Sequence, residues 1–593
     1  MKTKRRHVRG LYAPELLEGR IAPATFIVMN LNDAGAGSLR QAVADANLTP
    51  AADTIVFKTN LTGEILLTTG EIGITKDLTI SGPGASKLII DGNNASRIFS
   101  IDDGDPNATK NASISGISLV HGNSGVAGGA IFSKESLALT NVVLSHNTAT
   151  GNGGGLYMNS GGTGIVNLTV SKSRFTDNSA GGSGGGLSAS VNGKIKIISA
   201  IISGNTAASR GGGLYAHIQG SGSGNITIKN SVIVGNTTTG SNGGGASLDN
   251  DRVGGKVTIA STTISGNAAP AGGGGGLYLD DGIVVIDKST VSNNDAMRDG
   301  GGIEDDFLAS LTIRSSKIIN NRSTDATLGG GGIFIQGLHP VLIQDSTISG
   351  NFSGNHGGGI YGAAGSTGTN ITVQNSTLSG NVATQSGGGI YVGNTAATAN
   401  SSLKLINAKF TDNRAIGNEG GGVSIFGNGA AATVQLEVTG SLFRGNRASN
   451  DGGGIQFSSN GLLKISGTKF ADNFAQAAGG GLYLRGDGAA KITDSVFLRN
   501  VARSNGGGLY LTGTGSKVVA RSVIKDNLSD NSGGGIFISN GLLSVKQSKV
   551  TGNIARVGGG IFNATVTPVL LVNTTVSGNV AETDPNRHGP FTP

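Results

Sequence analysis

The sequence predicts an all-β protein wound as a parallel β-helix of about twenty coils. Three observations carry that expectation. An asparagine returns every 24 to 33 residues, most often after 27; a glycine run follows it at short range; and an alternation of period two follows the glycines.

The asparagine series runs from Asn123, Asn147 and Asn178 through Asn267, Asn294 and Asn321 to Asn527, Asn553 and Asn579. The residue three before each is apolar, as in Phe175, Ile202, Phe410, Phe443, Phe470 and Phe497, and is expected to face a core. Asparagine tolerates a left-handed corner, and stacked copies can join their amides into a ladder. The glycines allow positive φ and close approach of neighbouring backbones. Counting from the last glycine, position one is aliphatic or alanine (Leu156, Leu214, Ile390, Ile536) and position three mostly so (Met158, Leu279, Val392, Leu511). Positions two and four are mostly aromatic or polar, which is a strand with one buried face. A second alternating run follows, such as "LTVSKS" at 168–173. Three short strands per coil, each coil stacked ~4.8 Å above the last, give a rod of roughly 100 Å. Length variation in stretches such as "MNSGGTGIVN" and "GNTAATANSS" places protruding loops between the first and second strands.

Residues 26–120 break the pattern. In "GSLRQAVADAN", Ser38 and Gln41 form a capping box, and Leu39, Ala42, Val43 and Ala46 make one apolar stripe, so a short N-terminal helix is expected to cover the open first coil. Regular repeats occupy 121–580, a basic leader 1–25 and a polar tail 581–593.

Composition narrows the function. There are 104 glycines, no cysteine and only 4% aromatic residues, so thiolate metal sites, disulfides and cysteine nucleophiles are excluded. Of the net charge of +7, five come from Lys2, Lys4, Arg5, Arg6 and Arg9, leaving a body near neutrality that is unsuited to nucleic acid. No stretch approaches the ~18 apolar residues of a spanning helix.

Two features carry candidate chemistry. Position two holds Tyr157, Tyr215, Tyr278, Phe334, Tyr361, Tyr391, Tyr483 and Tyr510, joined by Phe537 and Phe562, an outward aromatic column that either stacks sugar rings or stabilises neighbouring coils. Position four places Asp249, Asp280 and Asp306 in one column, flanked by Asp251, Asp281, Glu304 and Asp305. Carboxylates one coil apart repel, and calcium on Asp249, Asp251, Asp280, Asp281, Asp305 and Asp306 would neutralise them, in competition with Arg252, Lys256, Lys288 and Arg298. A solvated acidic face is the plain alternative. A catalytic reading also exists, because one-coil spacing is near the ~5 Å of retaining glycosidases. Histidines occur singly (His121, His146, His217, His339, His356), and each is expected to be a loop residue instead of a ligand.

The repeat, with "GGAIF" at 128–132 and Phe-x-x-Asn at Asn178, Asn413, Asn446, Asn473 and Asn500, resembles the polymorphic outer-membrane protein repeats. That resemblance implies a right-handed, pectin-lyase-like β-helix, exported to the cell surface and adhesive. "NDAGAGSLRQAVADAN", followed by "DTIVF" and "LTISGPG", resembles the CSLREA-type head that precedes such repeats in large exported bacterial proteins, and "PELLEGRIAPATF" is similar to the leader of planctomycete surface proteins. Autotransporter members of the first family end in a membrane β-barrel. This sequence stops at Pro593, so outer-membrane attachment is expected to need a partner. Pectate lyases of the same fold use aspartates with calcium. The expectation is therefore an extracellular or surface-located, monomeric, structural or adhesive protein with glycans or surface proteins as partners and calcium as the one candidate cofactor; the alternative is a polysaccharide lyase or glycoside hydrolase acting through Asp249, Asp280 and Asp306.

Overall fold

Residues 274–302 show how one coil is made. Gly274 turns the chain at φ +61°, and Leu277–Asp280 forms the first strand. Asp281 and Gly282, both left-handed, turn it into Ile283–Asp287; Lys288 at φ +47° turns it into Thr290–Ser292; Asn293 at φ +54° turns it into the two-residue strand Asp295–Ala296. Each strand pairs in parallel and in register with its counterpart one coil away. The computed structural model describes residues 22–220, 224–251, 254–363, 368–394, 400–427 and 433–593.

Among the described residues, stacking these coils builds four parallel sheets, here numbered in chain order from the glycines: sheet 1 has 19 strands, sheet 2 has 21, sheet 3 has 19 and sheet 4 has 15. Sheet 4 is a correction to the three-strand coil, because a strand of two residues is too short to show alternation. Leu277, Leu279, Val284, Ile286 and Val291 point inward and are buried, and the inward sets of successive coils join into one continuous core; Ala296 of sheet 4 is buried beside it. Within it Phe410, Phe443, Phe470 and Phe497 lie face to face at 4.7, 4.9 and 4.6 Å between centroids.

The asparagines do form a ladder. Asn294 Nδ2 donates to Asn321 Oδ1 (2.9 Å) and to the Ile264 carbonyl (3.1 Å), while its Oδ1 accepts from Asn267 Nδ2 (2.9 Å) and the Asn267 backbone N–H (3.0 Å). The left-handed residue of the corner, however, is the one before it, such as Asp177, Gly204 or Asn293. Asn123 is off the ladder as well: it pairs with Thr148 and is exposed, while the Gly122 N–H binds Asn147 Oδ1 at 2.8 Å. A second ladder supports the corner between sheets 2 and 3, where Ser289 Oγ accepts the Thr262 N–H (3.2 Å) and donates to the Asp287 carbonyl (2.8 Å).

The N-terminal end is capped, and the C-terminal end finishes in a partial coil. The helix α1 (Leu39–Asn47) starts on Ser38, whose Oγ accepts the Gln41 N–H, and buries the four expected residues against the strands Thr25–Val28, Asp53–Phe57 and Ile72–Ile74. Gln41 bonds Asp45 and does not complete the capping box. Residues 581–593 are a last partial coil, not a free tail: Arg587–His588 joins sheet 1, Phe591–Thr592 joins sheet 2, and Asn586 Oδ1 accepts the final ladder amide of Asn579 at 3.1 Å. Of the leader, residues 1–21 lie outside the described residues, as do parts of the variable loops between sheets 1 and 2. No helix among the described residues is long and apolar enough to cross a membrane.

Candidate functional site

On the outer face of sheet 1, position four forms the column His217, Asp249, Asp280, Asp306, Gln336, and position two the column Tyr215, Ser247, Tyr278, Glu304, Phe334. Beside them stands a wall made by residues just before the glycines, among them Arg210, Asp299 and His356. Arg210 reaches two coils along to lie over the Tyr278 ring at 5.4 Å and to place Nη1 3.6 Å from Asp280 Oδ2. The Tyr278 hydroxyl is 3.0 Å from Asp306 Oδ2 and 3.3 Å from Asp280 Oδ2, so its one proton can serve either.

This groove holds more carboxyl groups than it can keep charged. Asp249, Asp299 and Glu304 are nearly buried, and Asp249 Oδ1, Asp299 Oδ1, Glu304 Oε2 and Asp306 Oδ1 have no hydrogen-bond partner. Loss of water favours the neutral acid. Burial pushes Asp249 up to about 8 and Asp299 up to about 7. Burial also lifts Glu304 well above the carboxylate range, with the Asp299 charge adding to it, and raises Asp280 and Asp306. Asp251 moves the other way because Asp249 donates a hydrogen bond to it. Tyr215 rises to about 12, through burial first and the Asp249 charge second.

Stability should follow. Asp299 ionises near 3.8 when unfolded and near 7 when folded, so across that window the folded chain holds a proton that the unfolded chain releases. The stabilisation is complete at the acid end and is lost as pH rises through 7, roughly 1.4 kcal/mol per pH unit for such a group. Thermal unfolding followed by circular dichroism is expected to give a higher Tm near pH 5.5 than near pH 8, with a flatter profile in Asp299→Asn. Parallel profiles for the two proteins would refute this.

Several expected site residues stand elsewhere. Asp305 is at position three, points into the core, is fully buried and meets His339 Nε2 at 2.8 Å, so it cannot join a surface cation site. Asp281 sits in the left-handed corner beyond Asp280. Arg252 lies outside the described residues; the cation that reaches Asp280 is Arg210, and Arg298, as expected, acts on the acidic groove at Asp299 and Glu304. His217 is on the strand Leu214–Ile218 and faces Asp249 and Asp251, which corrects its reading as a loop residue. Its partners are more than thirty residues away, so no local spacing announces it.

The aromatic column is in register but offers few free faces. Tyr278, Phe334 and Tyr391 are buried, and His356 stacks on Tyr391 at 4.2 Å. Phe334 meets Tyr361 edge to face at 5.4 Å, and Tyr361 lies 5.2 Å from Tyr391. From Tyr483 through Tyr510, Phe537 and Phe562 to His588, rings lie nearly parallel at 4.5 to 5.1 Å, each covering the next. Tyr157 and Tyr215 are only half-buried. Further along the same groove is a hollow of about 240 Å³ lined by His356, Tyr391, Glu419 and Phe426.

The family model described as "Right handed beta helix region" matches residues 244–439 and 430–581. No curated protein matches the sequence. Among solved structures, the chain is similar to the catalytic unit of a thermostable GH87 alpha-1,3-glucanase from Streptomyces thermodiastaticus strain HF3-3, at 12% identity and a TM-score of 0.38, over 69% of this chain and 66% of that one, just under two thirds of its length. It is also similar to the A-module of the mannuronan C-5 epimerase AlgE6 of Azotobacter vinelandii (14% identity, TM-score 0.25, 83% of this chain and 96% of that one). A third is the PL6 family alginate lyase AlyGC (10% identity, TM-score 0.19, 94% of this chain and 100% of that one). At such identities these likenesses concern fold and say nothing of substrate.

Proposed function

Since the chain belongs to the right-handed β-helix family, with more than half its length matched, we propose that it is an exported, surface-located rod that holds a glycan chain against the acidic groove of sheet 1. The observation that carries this reading is the set of unpartnered carboxyl oxygens on Asp299, Glu304 and Asp306 beside the Tyr278 hydroxyl. Buried polar groups without partners destabilise a fold, and where they cluster in a groove a ligand that satisfies them is the natural complement. Sugar hydroxyls both donate and accept. They suit neutral carboxyl groups, which do the same.

Charge selects the glycan. The groove already holds more carboxyl groups than it can keep charged and meets them with only Arg210 and Arg298, so a uronate chain would bring further anions that it cannot balance, whereas a neutral or amino-sugar chain would not. Export and surface location are supported by the resemblances of the head and leader. Affinity electrophoresis in gels containing neutral, amino-sugar or uronate polysaccharides tests the proposal. Retardation by a neutral or amino-sugar polymer is expected, weakened about tenfold or more in Asp306→Asn, in line with losing a hydrogen bond to a buried group. Retardation by polyuronates alone would refute it.

One observation favours a hydrolytic reading of the same groove. Asp280 and Asp306 share the Tyr278 hydroxyl, which puts their Oδ2 atoms within about 6 Å, near the separation used by retaining glycosidases. In that case the retarding polymer should also yield new reducing ends, and Asp280→Asn should abolish them while leaving retardation in place.

A further inference from the structure

We propose that His217, Asp249 and Asp251 form a binding site for a divalent transition-metal ion of the zinc class. One ligand atom from each of the three lies within 4.8 Å of the others. His217 Nε2 is 2.9 Å from Asp251 Oδ2 and 3.7 Å from Asp249 Oδ2. Ligands on a single ion with bonds near 2.0–2.2 Å stand about 3 to 3.5 Å apart, so only small side-chain movements separate this arrangement from a coordinated one.

The independent sign of a ligand is Asp249 itself. It is only 8% exposed, yet its Oδ1 has no hydrogen-bond partner, while its carboxyl group shares a proton with another carboxylate, that of Asp251, and its Oδ2 faces His217. The scaffold is rigid, because His217 and Asp249 are direct neighbours on adjacent rungs of sheet 1, in Leu214–Ile218 and Ala246–Asn250. The far side of the imidazole is held as well: Ser190 Oγ lies 3.1 Å from His217 Nδ1, and Gln219 Nε2 donates to the same hydroxyl. Metal-bound histidines characteristically have their second nitrogen fixed in this way.

Donor chemistry chooses the ion. One imidazole nitrogen and two carboxylates, with room left for water, suit zinc or a neighbouring transition metal, whereas calcium asks for six to eight oxygens. The site therefore shares Asp249 and Asp251 with the expected all-carboxylate calcium site, which also took in Asp280, Asp281, Asp305 and Asp306, and differs from it in its imidazole and in the ion that it selects. In a second acidic group, Asp102, Asp103 and Glu135, the two aspartates are already paired, Asp102 with Lys134 at 2.8 Å and Asp103 with Lys110 at 3.6 Å, and the group serves as an internal contrast.

Equilibrium dialysis of the tag-free, chelator-treated full chain against zinc, manganese and calcium chlorides tests this, with cobalt(II) as a spectroscopic probe. One equivalent of zinc is expected, held more tightly than calcium. His217→Ala and Asp251→Asn should each weaken zinc about tenfold or more and change the cobalt d–d bands, and Ser190→Ala should weaken it to a smaller degree. Asp251 is half exposed, so its variant also serves should the histidine variant fold poorly. No bound zinc, calcium preferred over zinc, or zinc retained unchanged in both His217→Ala and Asp251→Asn would each overturn the proposal.

Discussion

Asn294→Ala is expected to melt the middle of the rod. The substitution removes a side chain that makes four buried hydrogen bonds: the Asn267 backbone N–H loses its acceptor, the Ile264 carbonyl loses this donor, Asn267 Nδ2 keeps only the Ile233 carbonyl and Asn321 Oδ1 keeps only the backbone N–H of residue 294. A lost buried hydrogen bond costs roughly 0.5–1.5 kcal/mol and an orphaned buried group roughly 1–3 kcal/mol, so a loss on the order of 4 kcal/mol is expected. Aspartate at the same place should do no better, since it keeps the acceptor but has no hydrogen to give. Amide hydrogen exchange would report the loss as fast exchange in the coils around residues 264–321. Asn123→Ala is the control: it falls in the same sequence series but off the ladder, and its stability change should stay within about 0.5 kcal/mol. Equal effects at the two positions would mean that the ladder contributes little.

The second large effect is expected at the middle glycine of a triplet. A Cβ on Gly480 would sit 2.5 Å from the Gly507 carbonyl oxygen, 2.6 Å from the Val501 oxygen and 2.7 Å from the Val501 carbonyl carbon. All three are backbone atoms of the next coil, so no rotamer change relieves the clash and the two coils must separate. Gly480→Ala should cost on the order of 3–5 kcal/mol and lower Tm by several degrees, whereas Gly161→Ala, where a Cβ meets nothing within 4 Å, should be neutral. A Gly480→Ala protein as stable as the parent would show that coil spacing is looser than the hydrogen bonds between Gly480 and Gly506 and between Gly481 and Gly508 indicate.

Much of this was legible because a solenoid repeats its constraints. Period-two alternation after the glycines gave the inward and outward faces of sheet 1, and from them the register of Asp249, Asp280 and Asp306. The stripe on α1 was legible for the same reason, a period read over a window long enough to contain it. What escaped lacked such a window. Sheet 4 has two residues per strand, and at the first rung Gly122 stands where later coils have asparagine, meeting Asn147 Oδ1 with the backbone N–H that every rung offers. Asp305 illustrates a different limit: parity alone sends it inward, and its charge drew it into the surface group. His217 meets Asp249 and Asp251 only through stacking of coils; Asp299 and Arg210 hold a fixed place just before the glycines, but that spacing does not tell which way their side chains turn.

Every amide link in the asparagine ladder points the same way, each Nδ2 donating toward the C-terminal neighbour, from Asn147 to Asn586. An interior unit therefore meets the same socket above and the same plug below wherever it stands. Whole units can be duplicated or deleted in evolution without either neighbour changing its bonds, provided that α1 and the Asn586 segment remain at the two ends. The molecule is in that sense a ruler whose reach is set by copy number, while the chemistry it displays is confined to the few units that carry it.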